Sequence, residues 1–369
     1  MAVSNYTLGL IFICIVTVIW TAASFLTQYI YSDLDFQSPF VLTYLSSSLF
    51  SLYLPLHWCT KRWFNQENWD KLPINEADSV NNAAIDNNET ALLNINIKSD
   101  SIETSASKES ILQRYFPSLM YYLQPIKSDY SRNDLISVAL ILSPLWMLAN
   151  CLYNYSLLYT SIGSSTIISN LSGVFTLFFS YISGVEEFSR GKLFGLLICF
   201  LGVILVSIHD NKTPNHTENS ESFIGDMLAI VGAMGYGLYT TVIKLKIGND
   251  SKISMQLIFG YLGIVTSIVF SLPIIFLLAF RLDHIYSLTG TIFGYILLEC
   301  IFDGVIADYL WARSVLLTTP TVATVGLSLT IPLAIVSDVI IGYNGDINAL
   351  TLLGASLVTI GFVVINLKV

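Results

Sequence analysis

"ANCLYNYSLLYTS" (149–161) and "ADYLWARSVLLTT" (307–319) are two versions of one pattern, 158 positions apart. The same offset pairs "TIISNLSG" (166–173) with "TVGLSLTI" (324–331) and Gly184 with Gly342. One register later, Leu193-Phe194-Gly195 and Gly202 match Leu352-Leu353-Gly354 and Gly361, with each glycine pair seven residues apart. Earlier in the chain, Gly9 and Trp20 match Gly225 and Tyr236 at offset 216. The drop from 216 to 158 is 58 residues, most of the length of a polar segment at 60–133. The chain therefore reads as one unit written twice, with an insertion in the first copy.

Composition says what kind of unit this is. Of 369 residues, 54% are hydrophobic and 12% charged, against about 25% charged in a soluble domain, and the mean hydropathy is +0.66. Apolar runs of about 20 residues, enough to cross a bilayer, recur along nearly the whole sequence. The fold class expected is an all-α integral membrane protein with helices at 6–29, 39–59, 134–158, 162–184, 190–208, 223–246, 255–280, 290–313, 319–342 and 350–367. The first begins five residues in, without a basic leader, and runs too long for a signal-peptide core, so it is expected to stay in the mature protein.

The net charge of −9 is not spread evenly: 11 of the 26 acids fall between Glu67 and Asp134. No basic tract points to nucleic acid. The cysteines (Cys14, Cys59, Cys151, Cys199, Cys300) stand singly, with neither a disulfide framework nor metal-ligand spacing. His57, His209, His216 and His284 are scattered near span ends. No catalytic constellation, metal site or cofactor is expected. Gly184, Gly191 and Lys192 have the wrong spacing for a Walker motif and lack its following Ser or Thr.

Orientation follows from Lys and Arg, which favour the cytosolic side. With the N-terminus in the cytosol, 15 of the 17 lie on that side and only Lys212 and Arg281 on the other. Without the four central insert residues (Lys71, Lys98, Lys108, Arg114) the ratio is still 11 to 2. Both termini are expected in the cytosol, which fits an even number of helices. The division expected is 1–59 for the first two helices of repeat one, 60–133 for a disordered cytosolic insert, and 134–208 for its helices 3–5. A luminal loop at 209–222 and the second repeat at 223–369 follow. The insert carries Glu89-Thr90-Ala91-Leu92-Leu93, with the look of an acidic di-leucine sorting signal. The sequon at Asn215 is expected to be luminal and glycosylated, and those at Asn88 and Asn249 cytosolic and bare.

Five helices per copy make the second copy cross in the opposite sense. An inverted repeat is a physical route to alternating access, because two similar halves can exchange conformations around a midplane site. Gly195 and Gly202, like Gly354 and Gly361, put small residues on one helix face, which suits close packing or a dimer surface. Pro55, Pro144, Pro273 and Pro332 permit kinks, and Pro332 is the expected gate hinge.

Polar side chains inside a membrane are costly and tend to face the bundle interior. On this ground Asn150, Asn154, Ser169, Asn170, Tyr236, Tyr239, Asp303, Asp308, Ser328 and Thr330 are the candidate solute-binding residues. Each has a structural alternative: Asn and Ser as interhelical glue, Asp308 paired with Arg313. Glu299 and Asp303 share a face at i, i+4. Asp303 lies about 20 Å along its helix, near the membrane centre, with no base at helical spacing. Acids without midplane bases favour neutral or cationic solutes over phosphorylated ones.

"WMLANCLYNYSLLYTSIGSSTIISNLSGVFTLF" (146–178), "GDMLAIVGAMGYGLYTTVIKLK" (225–246) and "TVGLSLTIPLAIVSDVI" (324–340) resemble the drug/metabolite transporter superfamily with its paired EamA-type units. More closely they resemble subfamily F of solute carrier family 35, with its fungal vacuolar-membrane and thiamine-repressible relatives. The resemblance implies ten helices, a central cavity, an acid at Asp308 and solute transport in an internal membrane. The lysine-bearing nucleotide-sugar motif of other branches is missing from "TTPTVATVGLSL" (318–329). The function expected is secondary active transport of a small neutral or cationic organic metabolite, with a thiamine-like vitamin as one candidate. The vacuole is the leading compartment, ahead of Golgi and mitochondrion. The expected partners are a small solute, the bilayer and a possible homodimer. The alternative is a non-transporting scaffold or sensor acting through the insert.

Overall fold

The computed structural model describes residues 4–32, 34, 36, 38–64, 111, 114, 131–159, 162–210, 219–248, 254–280, 289–341 and 349–366. The di-leucine string, Asn215, Gly342 and nearly all of the 60–133 insert lie outside them. Among the described residues the regular structure is entirely helical.

The first half contains α1 (Asn5–Ser32), α2 (Pro39–Leu49) and α3 (Tyr53–Phe64), the last two joined by a 3₁₀ turn at Phe50–Leu52. Then come α4 (Arg132–Tyr159), α5 (Ile162–Ser169), α6 (Ser172–Ser183) and α7 (Arg190–Asp210). The second half contains α8 (Asn219–Ile247), α9 (Met255–Val269), α10 (Ser271–Phe280) and α11 (Gly290–Glu299). A π-helical segment (Cys300–Ala307) leads into α12 (Asp308–Leu317). After it come α13 (Pro320–Gly326), a 3₁₀ turn (Leu327–Leu329), α14 (Thr330–Ile341) and α15 (Ala349–Asn366).

Among the described residues, eight helical stretches are long and apolar enough to cross a membrane: 5–27, 39–59, 132–156, 223–247, 255–277, 290–317, 320–337 and 349–366. The stretch expected at 162–184 is helical but interrupted at Asn170 and Leu171, and that at 190–208 is the 21-residue α7. The element starting at Gly290 continues to Leu317, four residues past its expected end.

Local chemistry sets the ends of these helices. Ser131 caps α4 by accepting from the Asn133 N–H at 3.0 Å, while Asp134 accepts from the Ser131 N–H at 2.7 Å, a reciprocal cap of the Ser-x-x-acid kind. Pro320 opens α13 behind the Thr319 cap, where its missing N–H costs nothing. Gly184 closes α6 at φ 74°, a left-handed position that only glycine adopts cheaply.

In hydrocarbon, helices associate through close packing rather than through exclusion of water. The glycines identified in the sequence provide that packing. A Cβ on Gly202 would lie 2.6 Å from the Gly354 carbonyl oxygen, and one on Gly361 would lie 2.6 Å from that of Gly195. The two glycine faces thus meet each other within the chain, in the α7–α15 contact, and are not free to form a dimer surface. Phe194, Leu197, Leu201, Leu272 and Phe223 point outward with half or more of their surface exposed, a belt of apolar side chains suited to lipid. Inside, Phe50, Trp146, Tyr239, Phe259 and Trp311 anchor one buried cluster drawn from both halves.

Candidate functional site

Six of the ten expected polar residues (Asn150, Asn154, Tyr236, Tyr239, Asp303 and Asp308) lie on α4, α8 and the 290–317 element. Gly232 and Gly237 position α8. A Cβ on Gly232 would come within 3.2 Å of the Ala149 carbonyl on α4, and one on Gly237 within 2.9 Å of the Thr176 nitrogen on α6. That close approach places Tyr236 and Tyr239 among Trp146 of α4 and Trp311 of α12. Ring centroids are 4.9 Å apart for Trp146–Tyr239, 5.3 Å for Tyr236–Trp311 and 6.0 Å for Tyr239–Trp311. The Tyr239 and Trp311 rings are nearly parallel, at 9°.

The acids approach this aromatic cluster because the helix that carries them is irregular. In an α-helix, residues five apart lie about 140° apart around the axis. Between Cys300 and Ala307 the chain winds as a π-helix, and the Asp308 N–H donates to the Asp303 carbonyl, an i→i−5 bond. The wider turn brings Asp303 and Asp308 to one side. Asp308 lies within electrostatic range of Tyr236 and Tyr239, and Asp303 within range of Tyr153 and Tyr236. Asp308 is 4% exposed, and among the described residues neither aspartate carboxyl accepts a hydrogen bond or pairs with a base. The Asp308–Arg313 pair weighed from the sequence does not form, because residue 313 lies on the regular α12 and turns away. Glu299, by contrast, accepts from the Thr27 hydroxyl at 3.3 Å and is tied to helix packing.

The asparagines divide between roles. Asn150 donates within its own helix to the carbonyl of Trp146 at 2.9 Å, whereas Asn154 donates to the Thr43 hydroxyl of α2 at 3.0 Å, the interhelical glue of the structural alternative. Asn170 sits in the break between α5 and α6, and Ser328 in the 3₁₀ break between α13 and α14. Ser328 donates to the Asn170 side-chain oxygen at 2.5 Å. Ser169, next to this break, is half-buried. Thr330 turns back on its own helix, donating to the Leu327 carbonyl at 2.8 Å. Pro332 lies just past the break and has no N–H to offer the Ser328 carbonyl.

A second polar cluster was not foreseen. Lys192 donates to Glu186 at 2.6 Å, and the other Glu186 oxygen accepts from the Thr321 N–H at 2.8 Å, at the start of α13. Lys244 donates to the Leu316 carbonyl at 2.7 Å and reaches those of Thr318 and Val315 at the end of α12. From the sequence these lysines read only as orientation charges. A groove of about 700 Å³ lined by Phe40, Tyr155, Leu272, Pro273, Phe276 and Leu277 is apolar and includes neither aspartate.

Residues 114–208 match the model of the EamA-like transporter family. The thiamine-repressible mitochondrial transport protein of Saccharomyces cerevisiae is 32% identical over 342 residues, covering 90% of this chain and 85% of that protein. An uncharacterized vacuolar membrane protein of the same yeast is 30% identical, covering 98% and 90%. The chain belongs to the EamA-like transporter family. Within it the chain is related to solute carrier family 35, subfamily F: member F5 of Mus musculus is 24% identical over 90% of this chain and 71% of that protein. One solved crystal structure shares the fold, with a TM-score of 0.54 and 12% identity over 97% of this chain and 96% of that one. An EamA-like chain is a membrane transport protein and not an enzyme, so the buried acids and aromatics are not catalytic groups.

Trp146, Tyr153 and Trp311 are not among the expected site residues, because an aromatic ring in an apolar helix has the pattern of ordinary core. One signal was present, since Trp311 lies 158 residues after Tyr153 and three after Asp308.

Proposed function

We propose that the protein is a secondary active transporter that moves a small neutral or cationic organic metabolite across an internal membrane by alternating access. In this reading ten spans form two inverted five-helix repeats around a polar insert, with both termini in the cytosol. The observation that carries it is the pair of helix breaks at equivalent positions, Asn170–Leu171 and Leu327–Leu329, joined by Asn170 and Ser328. These two residues are each other's counterparts at offset 158. A residue that touches its own counterpart lies on the two-fold axis relating the copies.

Other contacts support the same axis. Cys199 donates to the Val358 carbonyl at 3.3 Å, a self-pair at the later offset of 159. The glycine contacts are crossed as a two-fold requires, Gly195 against Gly361 and Gly202 against Gly354. Ser156 and Ser314, also counterparts, each donate to the carbonyl three residues back at 2.7 Å. Broken helices meeting at a repeat interface are where secondary transporters hold solute and coupling ion. Asn150, Asn154, Tyr236, Tyr239, Asp303 and Asp308 are proposed to contact the solute, with Ser169, Asn170, Ser328 and Thr330 around the breaks and Pro332 as hinge.

The vacuolar membrane is the proposed compartment, supported by the name of the second yeast relative. The first relative's name links it to repression by thiamine, which makes that monocation the first solute to try. The test is counterflow in proteoliposomes with full-length protein and with residues 65–125 deleted. Retained flux is expected after the deletion, while Pro332→Ala should slow exchange and leave solute affinity unchanged. Solute-independent behaviour, with loss of cellular function on deletion, would show a scaffold instead.

A further inference from the structure

The aromatic cluster beside the two aspartates is unusual in what it leaves unsatisfied. Tyr239 and Trp311 have no exposed surface. Yet the Tyr236 hydroxyl, the Tyr239 hydroxyl and the Trp311 indole N–H are buried with no hydrogen-bond partner among the described residues. Buried polar atoms are nearly always paired, and leaving one unpaired is costly. Trp146 in the same cluster shows the ordinary arrangement, its indole N–H donating to Ser47 at 3.0 Å. Three idle groups from α8 and α12 therefore point to a ligand that supplies their partner.

The neighbours restrict that ligand. Asp303 and Asp308 present two carboxyls with no basic partner among the described residues, and the π faces of Tyr236, Tyr239, Trp146 and Trp311 are electron-rich. Both features attract a positive centre that is soft and weakly hydrated, and both repel a phosphate or carboxylate. A small hard cation would want a shell of oxygen ligands, and among the described residues no three acids, histidines or cysteines are grouped to hold a metal ion. The indole N–H, a donor only, requires a neutral acceptor on the same molecule.

We propose that this site binds an organic monocation, with a quaternary or N-alkylated ring nitrogen, that also carries a neutral hydrogen-bond acceptor, and that it rejects the phosphorylated ester of the same compound. The inference rests on the transport reading above and names the solute class of that site. The positive centre lies over the Tyr236–Trp311 faces against Asp308, and the acceptor meets the Trp311 N–H.

The test uses full-length protein, first in detergent with thermal midpoint as the readout, then in proteoliposomes by counterflow. The probes are 1-methylnicotinamide and its uncharged parent nicotinamide, choline and phosphocholine, and tetramethylammonium, which has no acceptor. Stabilisation by 1-methylnicotinamide or choline is expected, with little by nicotinamide or phosphocholine and a weaker shift by tetramethylammonium. Asp308→Asn should weaken cation binding roughly thirtyfold or more and erase the preference for 1-methylnicotinamide over nicotinamide. Trp311→Phe should keep cation binding and lose the preference for choline over tetramethylammonium, a selectivity that misfolding would not change selectively. The proposal is overturned if no cation shifts the midpoint, if nicotinamide matches its cation, or if phosphocholine binds as well as choline. A cation that binds without counterflow would leave the site standing and remove the transport reading. Flux of a neutral solute that is unaffected by Asp308→Asn would do the reverse.

Discussion

Glu186 and Lys192 are 7% and 8% exposed and face each other at 2.6 Å. Removing one member of a buried pair leaves a charge without compensation, whereas removing both can be nearly neutral. Lys192→Met should lower stability by about 3 kcal/mol, the low end for a broken buried pair, because Glu186 keeps the N–H of Thr321 at the α13 terminus. The double variant Glu186→Gln/Lys192→Met should recover part of that loss, read as thermal midpoints in a double-mutant cycle. Additive losses would show that the two side chains are not coupled. At this scale the sequence identified residues by type: Asp308, Tyr236 and Tyr239 stood out as polar groups in apolar helices. It did not reveal that Asn154 is spent on Thr43 while the Trp311 N–H has no partner among the described residues, since partners across helices have no mark in local spacing.

Among the elements, α7 and α15 show how little room the backbone leaves. A methyl group on Gly202 would meet the Gly354 oxygen at 2.6 Å and the Val358 nitrogen at 2.8 Å, so the helices must part. Gly202→Ala should cost about 1–3 kcal/mol, as overpacking does. Gly294→Ala should be neutral or stabilising by up to about 1 kcal/mol, because no described residue lies within 4 Å of its Cβ position and alanine is the better helix former. Equal midpoints for the two variants would contradict the packing described. The seven-residue glycine spacing made this interface legible, because only small residues allow such contact. The π-helical segment was not legible. Assuming α geometry put Glu299 with Asp303, which do lie within electrostatic range of each other, and the i→i−5 closure at Asp308 brings Asp308 beside Asp303 as well.

For the whole molecule, the repeat and the charge bias together predict a topology. Expressed in a eukaryotic host, the protein should carry one glycan at Asn215, lost in Asn215→Gln as a mobility shift. Asn88→Gln and Asn249→Gln should change nothing. A glycan at Asn88 would place the insert in the lumen and reverse the orientation. Such a reversal would leave the contacts between counterparts untouched, because the Asn170–Ser328 and Cys199–Val358 contacts depend on packing alone.

What the sequence determined by itself is whatever repeats or accumulates along the chain. Apolar runs, an offset of 158, glycines seven apart and basic residues on one side are each a periodicity or a sum, and each points to a helical membrane protein. Tertiary structure decided which of the buried polar groups meet. Whether Asp308 faces Arg313 or the tyrosines of α8 depends on a π turn within its own element and on where another helix is held by Gly232 and Gly237. Both are matters of angle and separation in space, and a linear spacing fixes neither once a helix departs from 3.6 residues per turn.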